Sequence, residues 1–416
     1  MEYQARVVDA ELKTRLASTG AVVVEGPKAC GKTATARQVA ASQVLLDVDA
    51  NARAAVALAP DVVLAGKVPR LIDEWQVEPD IWNHIRRAVD DRQAPGQFIL
   101  TGSALPADDI TRHTGAARIT RLRMRPMTLF ETGHSTGTIS LAALLSHDPS
   151  PGADSGLTIP EIATRVAVGG WPSLRTLGVP QALQVVRDYL GEIRRVDISR
   201  VEGIRRDPDR VGRLMVSLAR NVATTVTIRA LADDAGGSDG SLKEDTVRAY
   251  LAALERLMIV EEQPAWAPHL RSRSILRTAA KRHFVDPSLA VAAMRATPDR
   301  LLHELKWLGF LFESMVTRDL RVYAQANDAV VRHYRDNTGL EVDAIVESAS
   351  GPWAAFEVKL GQQQVDSAAE KLLAFANRVD TARCGAPAAL AVVVGTGYGY
   401  VRPDGVAVIP IGALGP

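Results

Sequence analysis

The chain carries Gly26-Pro27-Lys28-Ala29-Cys30-Gly31-Lys32-Thr33, a G-x-x-x-x-G-K-T spacing. Glycines let successive backbone N–H groups turn inward around a phosphate, and a helix N-terminus behind them adds partial positive charge. Lys32 is placed to reach the β- and γ-phosphates of ATP, and Thr33 to hold Mg²⁺ through its hydroxyl. Pro27, Lys28, Ala29 and Cys30 would line the nucleotide. A second segment, Arg70-Leu71-Ile72-Asp73-Glu74, delivers two acids at the end of an apolar run. Asp73 suits the Mg²⁺ shell and Glu74 the polarisation of an attacking water. A third, Phe98 to Ser103, ends in hydroxyls, with Ser103 a candidate sensor of the γ-phosphate. The predicted chemistry is Mg²⁺-dependent ATP hydrolysis, with Lys32, Asp73 and Glu74 as its catalytic set. A Cys30 thiol at a helix N-terminus is expected to react with thiol reagents and so block nucleotide binding.

A second constellation follows much later. Leu340–Val346 and Ala354–Leu360 read as neighbouring strands. Glu357 and Lys359 are two apart and share a face; Asp343 joins from the adjacent strand and Glu313 from the preceding helix. Two or three carboxylates with a lysine make a divalent-metal site, the lysine positioning or activating a water. The order helix Glu, strand Asp, then Glu-x-Lys resembles the PD-(D/E)XK nuclease fold. That resemblance implies Glu313, Asp343 and Glu357 as metal ligands beside Lys359. The rival readings are an ordinary sheet with its polar face in water, and a nuclease-like fold kept for binding alone.

The elements that must position these residues are legible from periodicity. A β-branched run at 21–24 precedes the phosphate loop, and a helix is predicted from Ala34 to Ser42. Strand-like runs at 43–48, 69–73 and 97–102 alternate with helical patterns, which implies a parallel sheet. Residues 132–160 are rich in Gly, Ser, Thr and Pro and read as a linker or loop. Helical periodicity then runs from 180 to about 262. Within it, Ser241–Glu244 forms a capping-box pattern opening a helix to Leu257, followed by a short strand at 258–261. This succession suggests a winged-helix module, with the capped helix as groove reader. Residues 263–285 hold Arg271, Arg273, Arg277, Lys281 and Arg282 with no acid, beside Trp266, His269 and Phe284, a pattern suited to a DNA backbone. A long helix over Leu301–Leu320, strands at 329–336, 340–347 and 353–360, a helix at 367–377 and a final strand at 388–394 complete a second α/β unit.

The phosphate loop, the Leu-Ile-Asp-Glu strand, Ile-Leu-Thr-Gly-Ser and Arg-Met-Arg-Pro-Met-Thr-Leu-Phe-Glu at 123–131 resemble AAA+-type ATPases with a DUF4143 C-terminal region. Gly169-Gly170-Trp171-Pro172, the Asp245–Leu251 stretch and Lys281–Asp286 carry the resemblance onward, so it covers nearly the whole chain. It implies a homo-oligomer in which a neighbour supplies an arginine. Arg118 is the nearest candidate, with Arg112 and Arg121 as others, although Ala117 replaces the glycine usual before it.

Composition sets the outer bounds. A chain of 416 residues exceeds one ordinary core, and a net charge of +1 provides no global field for a polyanion. Only nine of the 49 basic residues are lysine, and two cysteines suit a reducing cytosol rather than a disulfide framework. The eight histidines form no i, i+4 pair, which argues against zinc. No apolar run reaches membrane-spanning length, so a cytoplasmic protein with no membrane partner is expected. The expected fold is α/β. It has an N-terminal P-loop NTPase domain at 1–135, a linker and helical lid region at 136–190, a helical winged-helix-like domain at 191–300 and a nuclease-like α/β domain at 301–416. The expected function is an ATP-binding ATPase coupling nucleotide state to a nuclease-like domain with DNA as a candidate partner. The alternatives are an ATP-gated DNA nuclease and a regulatory switch for protein partners with little hydrolysis.

Overall fold

The computed structural model describes residues 2–102, 114–148, 152–154, 156–200, 206–268 and 279–416. Two compact units result. One is Met1–Pro126 with Arg195–Arg206 and Ala252–Ile259; the other is Met127–Arg194 with Asp207–Leu251 and Val260–Pro416.

The first unit is built on five parallel strands, β1 (Ala21–Glu25), β2 (Ser42–Leu45), β3 (Arg70–Asp73), β4 (Phe98–Gly102) and β5 (Ile119–Arg123), in the order β2-β3-β4-β1-β5. β1 is buried along its whole length, as its unbroken apolar run requires. Val23, Leu100 and Ile72 enter a core with Trp75 and with Trp82 and Ile85 of the helix Ile81–Arg92. Val22, Val24, Leu71 and Ile99 enter another with Leu12 and Leu16 of α1 (Val8–Ser18). The helix behind the phosphate loop, α2, covers only Lys32–Arg37 instead of reaching Ser42. Ser42 already pairs with Arg70 in the sheet, so the chain must be extended by then.

The second unit centres on a six-stranded sheet of order β13-β14-β12-β11-β10-β9. β9 (Ala329–Arg335), β10 (Glu341–Ser348) and β11 (Trp353–Lys359) are antiparallel, and β12 (Ala389–Val394) and β14 (Ala407–Pro410) continue in parallel. The edge strand β13 (Tyr400–Val401) and a closing strand β15 (Leu414–Gly415) follow 388–394, which is therefore not the last strand. The long helix starts at Leu305 and runs to Ala326, because the backbone at Glu304 leaves the helical region and separates it from Pro298–His303.

The 132–160 stretch is more ordered than its composition predicts. It contains β6 (Ile139–Ser140), paired with β15, and a helix Leu141–Leu145 capped by the Ser140 hydroxyl, with Leu141 and Leu144 fully buried. Helices Pro208–Arg220, Ile228–Gly236 and Glu244–Arg256 lead into an antiparallel pair, β7 (Val260–Gln263) and β8 (Lys281–Phe284). The capping box does not form. The last of these helices begins at Glu244, and the Ser241 hydroxyl donates to the Asp233 carboxylate instead.

The family-type motifs of this unit meet one another. The Met127 N–H donates to the Gly170 carbonyl at 2.6 Å, and the Gly170 N–H to Asp286 Oδ2 at 3.0 Å. The Trp171 indole N–H donates to Ser288, and Arg318 bridges Asp286 and Asp319. Asp319 also accepts the Leu129 N–H. A Cβ on Gly170 would fall 1.9 Å from the Met127 carbonyl oxygen, so the second glycine is demanded by close packing.

Candidate functional site

The phosphate loop lies between β1 and α2, at the C-terminal edge of the parallel sheet, where ligands of such sheets collect. Ala29 and Gly31 have left-handed backbones, φ 62° and 103°, which turns neighbouring N–H groups toward one side. A Cβ on Gly26 would fall 2.3 Å from the Met124 carbonyl oxygen, so the first glycine is set by the chain passing behind it. Lys32 is buried, and its ammonium donates to the carbonyls of Gly26 at 3.0 Å and Pro27 at 2.9 Å. Lys28 reaches outward and pairs with Asp197 at 2.6 Å, within the same unit.

The strand register brings the other predicted groups to this edge. β4 lies between β1 and β3, with Asp73 opposite Thr101 and Glu25 opposite Gly102. Thr33 Oγ1 donates to Asp73 Oδ1 at 2.8 Å, and the Thr101 hydroxyl donates to the same oxygen. One carboxylate therefore gathers hydroxyls from α2 and β4. These donors fit Mg²⁺, which favours a carboxylate with hydroxyl and phosphate oxygens. Glu74 follows in a left-handed backbone, φ 53°, and its carboxylate accepts from the Gln76 amide. Ser103 lies outside the described residues, and the hydroxyl observed at this strand end is that of Thr101.

Two expectations are corrected in this unit. Cys30 has no exposed surface and packs with Val22, Val24 and Ala36, so its thiol is closed to reagents even though its backbone belongs to the loop. Arg118 is held by Asp90 at 2.8 Å, and Arg121 pairs with Glu25 and stacks over Trp82. Neither candidate arginine approaches the loop with a free guanidinium; Arg112 lies outside the described residues.

In the second unit the predicted constellation does assemble, around partners the sequence reading placed elsewhere. Glu313 on the helix Leu305–Ala326, Asp343 on β10 and Glu357 on β11 are all buried. Asp343 and Ala344 together face His333 where the β9–β10 register shifts, a bulge that re-aims a side chain. Lys281 of β8 pairs with Glu313 at 2.6 Å and Asp343 at 3.5 Å. Lys359 pairs with Glu357 at 2.9 Å and Asp343 at 3.6 Å, and Lys371 with Glu357 at 2.8 Å. The Val358 N–H donates to Asp343 Oδ2 at 2.9 Å.

This arrangement does not fit the metal predicted for it. Among the described residues no three Asp, Glu, His or Cys side chains gather in a way that could hold a metal ion. The Lys281 ammonium already sits between Glu313 and Asp343, and a divalent ion ~4 Å from an ammonium is repelled by about 8 kcal/mol at an effective dielectric of ~20. Burial opposes the Lys281 charge, but Glu313 and Asp343 outweigh it and raise its pKa. Burial likewise works against the Asp343 charge, and Lys281, Lys359 and Lys371 outweigh it and lower its pKa. Glu313 is raised by burial and by Asp343.

The same geometry corrects the expectation that Lys281 and Arg282 face a nucleic acid. Lys281 points inward, and Arg282 pairs with Glu262 at 3.0 Å and donates to the Val226 carbonyl. The segment holds no acid of its own, but β7, β10 and the long helix supply acids to it. Trp266 is buried among Trp353, Tyr334 and Phe375, and Phe284 is also buried. Arg271, Arg273 and Arg277 lie outside the described residues. Lys371 and Asp197 were missed as site residues, and Lys281 was assigned to a nucleic-acid surface instead. Alternation in Lys-Arg-His-Phe, with Lys281 and His283 both inward, was the one available signal for Lys281.

Residues 18–133 match the AAA domain family. The N-terminal region therefore carries an AAA domain. Residues 159–300 match DUF8612 and 308–414 match DUF4143, both domains of unknown function. The pairing of an AAA domain with DUF4143 read from the motifs therefore holds. Uncharacterized proteins from Mycobacterium bovis and Mycobacterium tuberculosis are each 26% identical over 369 residues, covering 86% of this chain and 74% of theirs. Among solved structures, a Walker-type ATPase of Pyrococcus abyssi is 11% identical with a TM-score of 0.43, covering 69% of this chain and 94% of its own. Among the described residues no helix is long and apolar enough to cross a membrane.

Proposed function

We propose that this protein is a Mg²⁺-dependent ATPase in which nucleotide state is passed from the AAA domain to the rest of the chain. The observation that carries this reading is the meeting of Thr33, Asp73 and Thr101 beside a loop whose lysine rests on neutral carbonyls. Phosphate offers Lys32 an ionic partner in place of the Gly26 and Pro27 carbonyls, and the loop N–H groups bind the same oxygens. Thr33 and Asp73 would hold Mg²⁺, which when bound neutralises phosphate charge. Glu74, released from Gln76, orients a water for in-line attack.

Lys28 supports the coupling. A phosphate competing for its ammonium weakens the pair with Asp197, in a segment that follows the predicted lid region and belongs to the first unit. A homo-oligomer contributing Arg118 in trans requires that arginine to leave Asp90. Native mass with and without a non-hydrolysable ATP tests that step.

The central test is steady-state phosphate release with Mg²⁺, with Lys32→Ala and Glu74→Gln as controls. Failure of the unmutated chain both to bind and to hydrolyse ATP would sink the reading.

A further inference from the structure

We propose that the Lys281 ammonium is the resident cation of the Glu313–Asp343–Glu357 cluster. The C-terminal domain then takes no divalent metal there and cuts no DNA, and its acids instead lock the β7–β8 hairpin onto the C-terminal sheet.

Most of the carboxylate oxygens already face an ammonium or a backbone N–H. Asp343 Oδ1 faces Lys281, and Oδ2 faces both Lys359 and the Val358 N–H. Glu313 Oε1 accepts from Lys281, and Glu357 stands between Lys359 and Lys371. Three carboxylates meet three ammonium groups, which leaves no surplus negative charge to draw in a divalent ion. A metal entering between Glu313 and Asp343 would have to expel a buried ammonium that already pairs with both.

Residue choice points the same way. Of 49 basic residues only nine are lysine, yet three of those nine converge here. An ammonium is a compact point charge with three rotatable donors, small enough to sit between buried carboxylates from different elements. The lysine that closes the site comes from outside the C-terminal sheet, and its strand is held by further contacts. Gln263 of β7 donates to the carbonyls of Asp343 at 2.9 Å and Arg332 at 3.0 Å, and His283 of β8 bonds Gln263. Arg321 of the long helix pairs with Glu261 and donates to the Glu262 carbonyl. Acids arranged in the order of a nuclease site thus act as the anchor of a hairpin.

The experiment measures Mn²⁺ binding to the full-length, nucleotide-free chain by the resonance of free Mn²⁺, comparing wild type with Asp343→Asn. Binding at the phosphate loop does not depend on Asp343 and cancels in the comparison. The expected result is no Asp343-dependent Mn²⁺ and no DNA cleavage in Mg²⁺ or Mn²⁺. Asp343-dependent binding tighter than about 1 mM, the weak end of carboxylate cation sites, overturns the proposal. So does cleavage that Asp343→Asn and Lys359→Ala abolish. Conversely, Lys281→Met should gain one Asp343-dependent Mn²⁺ and a rise in Tm on Mn²⁺ addition that wild type lacks. If the metal-free variant does not fold, the gain is read as recovery of folded protein with Mn²⁺. A folded Lys281→Met chain that still takes no Mn²⁺ counts against the ammonium as what fills the site, and the wild-type comparison decides where the variant stays unfolded.

Discussion

The phosphate loop and the C-terminal cluster use the same residue types, a buried lysine beside acids at the edge of a sheet, yet they are opposite in kind. Lys32 rests on two neutral carbonyls at about 3 Å, so its charge is solvated by dipoles, with no carboxylate paired to it among the described residues. Lys281 rests on carboxylates, the nearer at 2.6 Å, so its charge is compensated within the fold. The first arrangement awaits an anion; the second excludes a cation. The identity of the lysine's partner, and not the presence of lysine and acid, separates a site from a structural lock.

That contrast can be broken in four measurements. The largest effect is expected on the lock. Lys281→Ala takes the pairing ammonium from buried Glu313 and should destabilise the chain by about 3–5 kcal/mol, read by denaturant unfolding. Replacing both partners, as in Lys281→Met with Glu313→Leu, should recover most of that loss, and equal losses in the two variants would contradict the pairing. Next comes the open lysine. Lys32→Ala should lower ATP turnover about 10²–10³-fold while leaving Tm nearly unchanged, since only dipolar contacts are lost.

A third effect is on pH. Burial, then the charge of Lys281, pushes His333 down to about 4. A histidine depressed in the folded state contributes stability that is present above its unfolded pKa of about 6.5 and is lost as pH falls toward 4. The loss should reach about 3 kcal/mol at 1.36 kcal/mol for each pKa unit. Glu313, raised by burial and by Asp343, acts in the opposite sense as pH falls. The comparison is therefore made with His333→Asn, which should flatten the acid limb. The smallest effect is on the outward lysine of the loop. Asp197→Asn removes one partly exposed pair of Lys28, worth up to about 1 kcal/mol, so nucleotide affinity should tighten by no more than about fivefold.

Legibility differed between the two regions for a physical reason. The nucleotide site was readable because each part sits at the end of its own strand, and parallel packing of short β-branched runs leaves one edge where they can meet. Asp73 and Thr33 followed from that; the hydroxyl that meets them is Thr101, not the named Ser103. The burial of Cys30 did not, because it depends on which side of the loop faces the core under β1. In the C-terminal domain, Glu313, Asp343, Glu357 and Lys359 were identified correctly as neighbours. Lys281 was read as a surface cation because local charge counting over 263–285 finds no acid. Its partners lie 32 and 62 residues away in sequence. The linker reading of 132–160 failed similarly, since what orders Ile139–Ser140 is a strand near the opposite end of the chain.

The opening contrast therefore divides along interaction range. By itself, the sequence determined that the chain holds an AAA-type phosphate loop with its acidic strand, and a helix and strands bearing acids and a lysine. Those features rest on local spacing, strand alternation and the backbone freedom of glycine. Only the tertiary structure decided that β8 would insert Lys281 among those acids. Ion pairing between distant elements is set by how the elements pack, and one buried ammonium at hydrogen-bond distance from carboxylates is enough to turn a metal-binding pattern into a closed salt-bridge network.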